Sequence, residues 1–202
     1  RRGNFIVLDN VRASRDVTRH LVALGHRRIG FVSGLPNIST AAERLQGYRE
    51  ALRDSGLSAD RDLIRPGAFQ AGTAQEAARD LLKRRGRPTA IVASNDLMAL
   101  GVLQAAAELD VRIPDDLAVV GFDDIEIADH PRVQLTTMAQ QKAEMGRLAA
   151  LGILEIIRRG TGVGNPPLQQ TLAPMLIIRH TCGALLRVQG GRRPGQAHTA
   201  PI

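Results

Sequence analysis

Residues 89–124 read TAIVASNDLMALGVLQAAAELDVRIPDDLAVVGFDD. Two short apolar runs, residues 89–93 and 117–121, flank a segment, residues 95–109, that has the length and spacing of an amphipathic helix. Strands that are apolar on both faces are typical of a parallel sheet, in which helices cover each face. A helix between two such strands is the usual parallel crossover, so this stretch predicts a βαβ unit.

The same alternation extends toward the N-terminus. It predicts strands over residues 5–8, 28–33 and 63–65, and a helix over residues 14–24 that ends at Gly25. Two further helices are predicted by capping boxes, Thr40 with Glu43 and Thr73 with Glu76, and Gly56 and Gly86 stand where those helices are expected to stop. The whole pattern predicts an α/β fold with a doubly wound parallel sheet.

The alternation changes after residue 122. A polar connection is predicted over residues 123–132, a strand over 135–138, a long helix over 141–159, a loop over 160–167, a strand over 171–179 that Pro174 interrupts, and a disordered tail from residue 183. The long helix carries five or six large apolar side chains on one side, whose burial is worth on the order of 10 kcal/mol. We therefore expect a second chain, an exchanged element or another surface of the same lobe to cover that side.

The composition of the 202 residues excludes several classes of protein. The single cysteine, Cys182, permits no internal disulfide, no cysteine and histidine spacing suits a zinc site, and no apolar run is long enough to span a membrane.

The net charge is +7, but Arg1, Arg2, Arg187, Arg192 and Arg193 supply five of these charges, which argues against a basic stripe for DNA. We expect a protein of a reducing compartment, the cytoplasm, and no metal or cofactor. The chain begins without Met and without a signal sequence, so we expect it to be a piece of a longer protein.

Candidate binding residues follow the predicted parallel strands. Ligands of open α/β sheets bind beyond the carboxyl ends of the strands, an edge that we call the rim. Arg44 is predicted to face the rim from the first turn of a helix, and the rim itself is predicted to hold the loop of residues 33–39, Phe69, Asn95, Asp96, Asp123 and Asp124. A carboxylate, a guanidinium, an amide and an aromatic ring suit a neutral molecule that is rich in hydroxyl groups. The same residues could also be helix caps or members of a surface ion pair.

The sequence gives little support for catalysis. It contains no G-x-S-x-G elbow, and the glycines of residues 160–164 follow a helix, so they do not match a dinucleotide-binding loop. The sequence His180-Thr181-Cys182 lies near the tail without a third group to orient a nucleophile and its base. We expect a binding protein that is not an enzyme.

Several motifs carry a family resemblance. They are Asp9-Asn10, LGHRRIG at 24–30, ERLQGY at 43–48, NDLMALG at 95–101, IPDD at 113–116, VGFDD at 120–124 and LTT at 135–137. Together they resemble the effector-binding domain of lactose-repressor-type (LacI/GalR) transcriptional regulators, truncated at the N-terminus. The resemblance implies the periplasmic-binding-protein type I fold, with two α/β lobes around a sugar cleft. It also implies effector contacts from Arg44, Asn95 and Asp123, together with Phe69 and Gln140.

The resemblance also predicts how the chain divides and what it senses. Residues 1–10 would be a residual strand of the N-terminal lobe, 11–122 the C-terminal effector-binding lobe, 123–164 the hinge and an N-terminal-lobe helix, 165–182 a return strand and 183–202 the tail. The implied function is to sense a sugar or nucleoside-like effector as part of a homodimeric repressor. Operator DNA would be bound by a helix-turn-helix that these residues do not include, and no membrane is involved. A transport-associated sugar-binding protein of the same fold is the alternative.

Overall fold

The computed structural model describes residues 3–159 and 167–186. The helices and strands follow one another in the order β1 (Phe5–Leu8), α1 (Asn10–Ala23), β2 (Ile29–Ser33), α2 (Ser39–Asp54), β3 (Ile64–Pro66), α3 (Ala71–Leu82), β4 (Ala90–Ala93), α4 (Asp96–Glu108), β5 (Ala118–Asp123), β6 (Thr136–Ala139), α5 (Lys142–Arg159), β7 (Gln169–Leu172) and β8 (Met175–Ile177). Short 3-10 turns occupy Arg61–Leu63, Glu126–Asp129 and His180–Cys182.

The main sheet has six strands in the order β3-β2-β4-β5-β6-β8. Its first five strands are parallel, and β8 joins antiparallel to β6 at one edge. A second, two-stranded parallel sheet pairs β1 with β7. The predicted α/β fold with a mainly parallel, doubly wound sheet is therefore confirmed.

Helices cover both faces of the main sheet. One buried cluster lies under α3 and α4, and the other lies under α1 and α2. Each helix pair packs closely because a glycine stands at its crossing: a Cβ atom at Gly47 would overlap the carbonyl oxygen of Val11, and one at Gly101 would overlap that of Ala71. The small residues thus let the helix backbones approach and hold the loops above them in fixed positions.

Both predicted capping boxes are wrong. Helix α2 begins at Ser39 and α3 at Ala71, and neither helix has a side-chain cap at its start. The carboxylate of Glu43 instead accepts a hydrogen bond of 2.9 Å from the side-chain amide of Asn10 in α1. A contact between helices has therefore replaced the local cap. The first helix also begins earlier than predicted, at Asn10, because the side chain of Asp9 caps it.

The single strand predicted over residues 171–179 is in fact two strands. Pro174 separates β7 from β8, and the two strands pair with different sheets, β7 with β1 and β8 with β6. The predicted loop lies outside the described residues except for Pro167, and so does the predicted tail beyond Leu186.

Helix α5 lies beside the small sheet. Met145 and Leu148 pack against the core, whereas apolar side chains further along the helix are exposed to solvent, Ile153 by 58% and Ile157 by 70%. A cleft of about 450 Å³ separates α5 from β1. That some surface covers this side of α5 stays a prediction. Within residues 3–159 and 167–186, no helix is long and apolar enough to cross a lipid bilayer.

Candidate functional site

The five predicted site residues belong to different elements that all end at the rim. Asn95 follows β4, Asp123 is the last residue of β5, and Gln140 follows β6 directly. Phe69 lies between β3 and α3, and Arg44 belongs to the second turn of α2. The strand order places β4, β5 and β6 side by side, so the loops that carry Asn95, Asp123 and Gln140 are neighbours.

Arg44 is the centre of the site. Its side chain is only 6% exposed, and its guanidinium lies 3.5 Å from the centroid of the Phe122 ring. The guanidinium donates to the side-chain oxygen of Asn10, to the carbonyl oxygen of Ser94 and to Oδ1 of Asp123. Burial lowers the pKa of Arg44, and the carboxylate of Asp123 opposes that shift. Arg44 is therefore no surface ion-pair residue, since every one of its donor groups is turned into the protein.

Asp123 connects this buried cation to the surface. Its Oδ1 accepts from Arg44 at 3.4 Å and from the side-chain amide of Gln140 at 2.5 Å. The side chain is 22% exposed, and its Oδ2 has no hydrogen-bond partner in the described part of the chain. A carboxylate oxygen held in this way can accept hydrogen bonds from ligand hydroxyl groups.

The backbone of two rim loops adopts a conformation that is costly for side chains other than glycine. Asp123 and Asp124 have φ values of 117° and 50°, and Ala68 and Phe69 have φ values of 53° and 59°. Such strain persists where the surrounding structure enforces it, and it is concentrated in binding and active sites. The loops after β3 and β5 are therefore held in place by the rest of the fold.

Asn95 fulfils the predicted helix-cap role. Its Oδ1 accepts a hydrogen bond of 2.9 Å from the backbone nitrogen of Met98 and so caps α4. Its side-chain nitrogen has no partner among residues 3–159 and 167–186, so it can still donate to a ligand. The capping role and the proposed binding role use different atoms and are compatible.

Phe69 stands apart from the hydrogen-bonded residues. Its half-buried ring packs on the core cluster of α3 and α4 and covers Gly34, where a Cβ atom would overlap the ring. It contributes an apolar surface to the edge of the rim after β3, while Arg44, Asp123 and Gln140 form one connected polar group.

Sequence reasoning missed the role of Asn10. Its amide nitrogen donates to Glu43 and its oxygen accepts from Arg44, so it links α1 to the first turns of α2. Asn10 belongs to one of the family motifs, which was the signal available, but its partners are more than thirty residues away. Ser94 was also missed, since its contribution to Arg44 comes from a backbone oxygen.

The described chain also has clefts and a buried thiol that lie away from the five predicted site residues. Four of its clefts have volumes of about 430 to 570 Å³, and none of these four is lined by the five predicted site residues. The thiol of Cys182 is buried and lies 3.5 Å from Nε2 of His20. Among residues 3–159 and 167–186, no three histidine, cysteine or acidic side chains are grouped so that they could hold a metal ion.

Comparison with known proteins agrees with this architecture. The profile of the periplasmic binding protein-like domain matches residues 18–182. The chain is 35% identical over 178 residues to the HTH-type transcriptional regulator CelR of Thermobifida fusca, covering 88% of this chain and 52% of that protein. It is 36% identical over 178 residues to the HTH-type transcriptional repressor CytR of Escherichia coli, covering 88% of this chain and 51% of that protein. A solved complex of a transcriptional regulator CelR with cellobiose has a TM-score of 0.82 and 34% identity, covering 89% of this chain and 54% of that chain.

A mainly parallel α/β lobe with a polar rim at its strand ends is thus the domain type of the periplasmic binding proteins. The chain belongs to the periplasmic binding protein-like domain family, and it is similar to LacI-family transcriptional regulators. It spans about half the length of the two curated relatives named above. Both relatives are HTH-type transcriptional regulators.

Proposed function

We propose that this chain is the effector-sensing part of a bacterial LacI-type transcriptional regulator, and that its rim binds a neutral polyhydroxy molecule, a sugar or a nucleoside. The observation that carries the proposal is the Arg44–Asp123 pair. A buried cation holds one oxygen of a carboxylate whose other oxygen has no partner in the described chain. The cellobiose complex of the similar CelR supports a sugar as the ligand class.

The rim residues then make different contacts with the ligand or with one another. Asp123 accepts hydrogen bonds from ligand hydroxyl groups, the side-chain nitrogen of Asn95 donates to ligand oxygens, and Phe69 covers a C–H face. Arg44 holds Asp123 in position from below. Gln140 lies between β6 and α5, so a ligand that competes for Asp123 also acts on the connection to α5.

Regulation requires different ligand affinities in two conformations. A ligand that binds the closed form more tightly shifts the population toward that form, and the shift is limited by the difference in affinity. In the complete regulator, which we place in the cytoplasm as a homodimer, closure would change operator binding by a helix-turn-helix. The named relatives favour this regulator over a transport protein of the same fold.

Calorimetric titration with a panel of neutral sugars, cellobiose included, and nucleosides tests the proposal. We expect at least one member to bind, and Asp123→Asn to weaken its binding ten- to a hundredfold, since a hydrogen bond to a charged group is worth about 1.5–3 kcal/mol. Glu126→Gln is the matched control, because it removes the same charge from an exposed position in the following turn. Equal affinity of the Asp123→Asn variant and the unmodified chain would reject the site.

A further inference from the structure

We propose that Asp96 is a positioning residue for the effector site: its buried carboxylate fixes the turn of Asp123, Asp124 and Ile125 through backbone amides and thereby sets the direction of the Asp123 side chain. The inference rests on the proposed function, because it concerns the same site. It adds a residue that has no direct contact with the ligand.

The hydrogen bonds of Asp96 reach two successive residues of that turn. Its Oδ2 accepts from the backbone nitrogen of Ile125 at 3.0 Å, and its Oδ1 accepts from the hydroxyl of Thr137 at 2.6 Å. The same hydroxyl oxygen accepts from the backbone nitrogen of Asp124 at 3.4 Å. Asp96 therefore holds the amide of Ile125 directly and that of Asp124 through Thr137.

The turn needs such an anchor because its backbone is strained. Asp123 and Asp124 both have positive φ values, which are unfavourable for residues other than glycine. Without this anchor, the segment of residues 123–125 would relax to a different turn. The carboxylate of Asp123 would then leave the position in which Arg44 holds it. The bond from the amide of Ile125 to the carboxylate of Asp96, and that from the amide of Asp124 to the hydroxyl of Thr137, stabilise the observed turn.

The position of the carboxylate is itself fixed. Asp96 is fully buried at the first position of α4, where the helix N-terminus favours a negative charge. A Cβ atom on Gly121 in the neighbouring strand β5 would overlap Oδ1 of Asp96, so this position admits only glycine while the carboxylate lies where it does. The glycine and the carboxylate therefore form one packing unit beneath the turn.

The other charged groups around the turn act on different atoms. Arg179 donates to the side chain of Asp124 at 2.8 Å, and Lys142 donates to its carbonyl oxygen at 3.0 Å. Arg44 holds the side chain of Asp123. Asp96 and Thr137 instead hold the backbone amide nitrogens of Ile125 and Asp124, and these bonds determine the path of the backbone.

The charge of Asp96 provides a way to observe this role. Burial raises the pKa of Asp96 to about 6, the nearby carboxylates of Asp123 and Asp124 add to the shift, and the bonds from Thr137 and Ile125 oppose it. The cations facing this cluster are Arg44, from α2, Arg179, which follows β8, and Lys142, from α5. Protonation near this pH weakens the two acceptor bonds, since hydrogen bonds to an ionised acceptor are the stronger ones.

The test is NMR of the backbone amides in the whole chain between about pH 5 and 7.5, the range over which a group with a pKa of about 6 changes its charge. We expect the amides of Ile125 and Asp124 to titrate together with a midpoint near this value, and Asp96→Asn to abolish the titration. Asp115→Asn, an exposed control in the loop after α4, should retain it. Amides that do not titrate, or that titrate equally in the Asp96→Asn variant, would overturn the inference.

Two further measurements separate a positioning role from a general effect on folding. Thr137→Val leaves the carboxylate of Asp96 in place. It should remove the titration of the Asp124 amide, while the titration of the Ile125 amide remains. If both amides still titrate in this variant, Thr137 does not connect Asp96 to Asp124. With cellobiose as the probe, Asp96→Asn should weaken binding about tenfold, which corresponds to about 1.4 kcal/mol. The same substitution should remove the pH dependence of binding. The NMR result needs no ligand, so it decides the role of Asp96 even if no sugar binds and the proposed function fails.

Discussion

The guanidinium of Arg44 lies 3.4 Å from the carboxylate of Asp123, although the two residues are 79 positions apart in the chain. The two ends of the pair differ in exposure, since the Arg44 side chain is 6% and the Asp123 side chain 22% accessible. A ligand at the rim therefore meets a carboxylate whose position a buried cation determines. This asymmetry separates the residue that we expect to bind the ligand from the residue that supports it.

Arg44→Lys should destabilise the fold. A lysine cannot reproduce the donors that Arg44 gives to Asn10 and to the carbonyl of Ser94, and unsatisfied buried acceptors cost about 1–3 kcal/mol each. We expect the free energy of unfolding in urea to fall by about 3 kcal/mol, taking both acceptors together. Arg49→Lys, an exposed position of the same helix, should change it by less than about 0.5 kcal/mol. Equal stability of the two variants would show that the buried bonds of Arg44 are dispensable.

Asn95→Ser should separate capping from binding. Serine caps helices about as well as asparagine, so thermal unfolding should be nearly unchanged, whereas Asn95→Ala should lose about 1 kcal/mol. Serine lacks the amide nitrogen, and we expect the affinity for an effector sugar to fall about tenfold, as for the loss of one hydrogen bond. Unchanged affinity in the serine variant would leave Asn95 with the capping role alone.

Gly34 and Phe69 should be coupled. In the presence of the Phe69 ring, Gly34→Ala forces the ring to move, and such overpacking costs about 1–3 kcal/mol. In a Phe69→Ala background the same substitution should cost almost nothing. A double-mutant cycle on unfolding free energies measures this coupling, and additive effects would show that the ring does not rest on Gly34.

Asp96 should make stability depend on pH in the direction opposite to that of a salt-bridged carboxylate. Its pKa is about 6 in the folded state and about 3.9 when unfolded, so the folded state binds more protons between these values and its stability falls as pH rises through that range. The difference of about two pKa units corresponds to about 3 kcal/mol. Asp96→Asn should therefore gain about 3 kcal/mol relative to the unmodified chain between about pH 4 and 7, measured by urea unfolding at each pH. A constant difference would refute the shift.

The main sheet was predictable from the sequence because local signals agree with the tertiary structure. The apolar runs before Asn95 and Asp123 can be buried on both faces only in a parallel sheet, and Gly25 and Gly56 adopt the positive φ values expected just past helix ends. The capping box of Thr40 and Glu43 was wrong because the carboxylate of Glu43 bonds instead to Asn10, a partner that only the packing of α1 on α2 brings close. The final strand divided because Pro174 lies between two different sheets, a placement that local pattern does not encode.

The site was predictable in its residue types but not in its internal contacts. The rule that ligands bind at strand ends selects Asn95 and Asp123 from their positions alone. That Arg44 would be buried over Phe122, and that Asp96 would anchor the turn beside Asp123, depends on distances between separate loops. The strand-end rule places Asp96 at the rim, but charged residues are usually exposed, so the burial of its carboxylate was not predictable from the sequence.

Mapping of amide chemical shifts on addition of a sugar that binds tests the central claim most directly. The side-chain amides of Asn95 and Gln140 and the backbone amides around Asp123 should shift together, with one common dissociation constant, while exposed α5 residues such as Ile157 do not. Shifts confined to the cleft between β1 and α5, or to the opposite end of the strands near Arg28, would contradict an effector site at the rim.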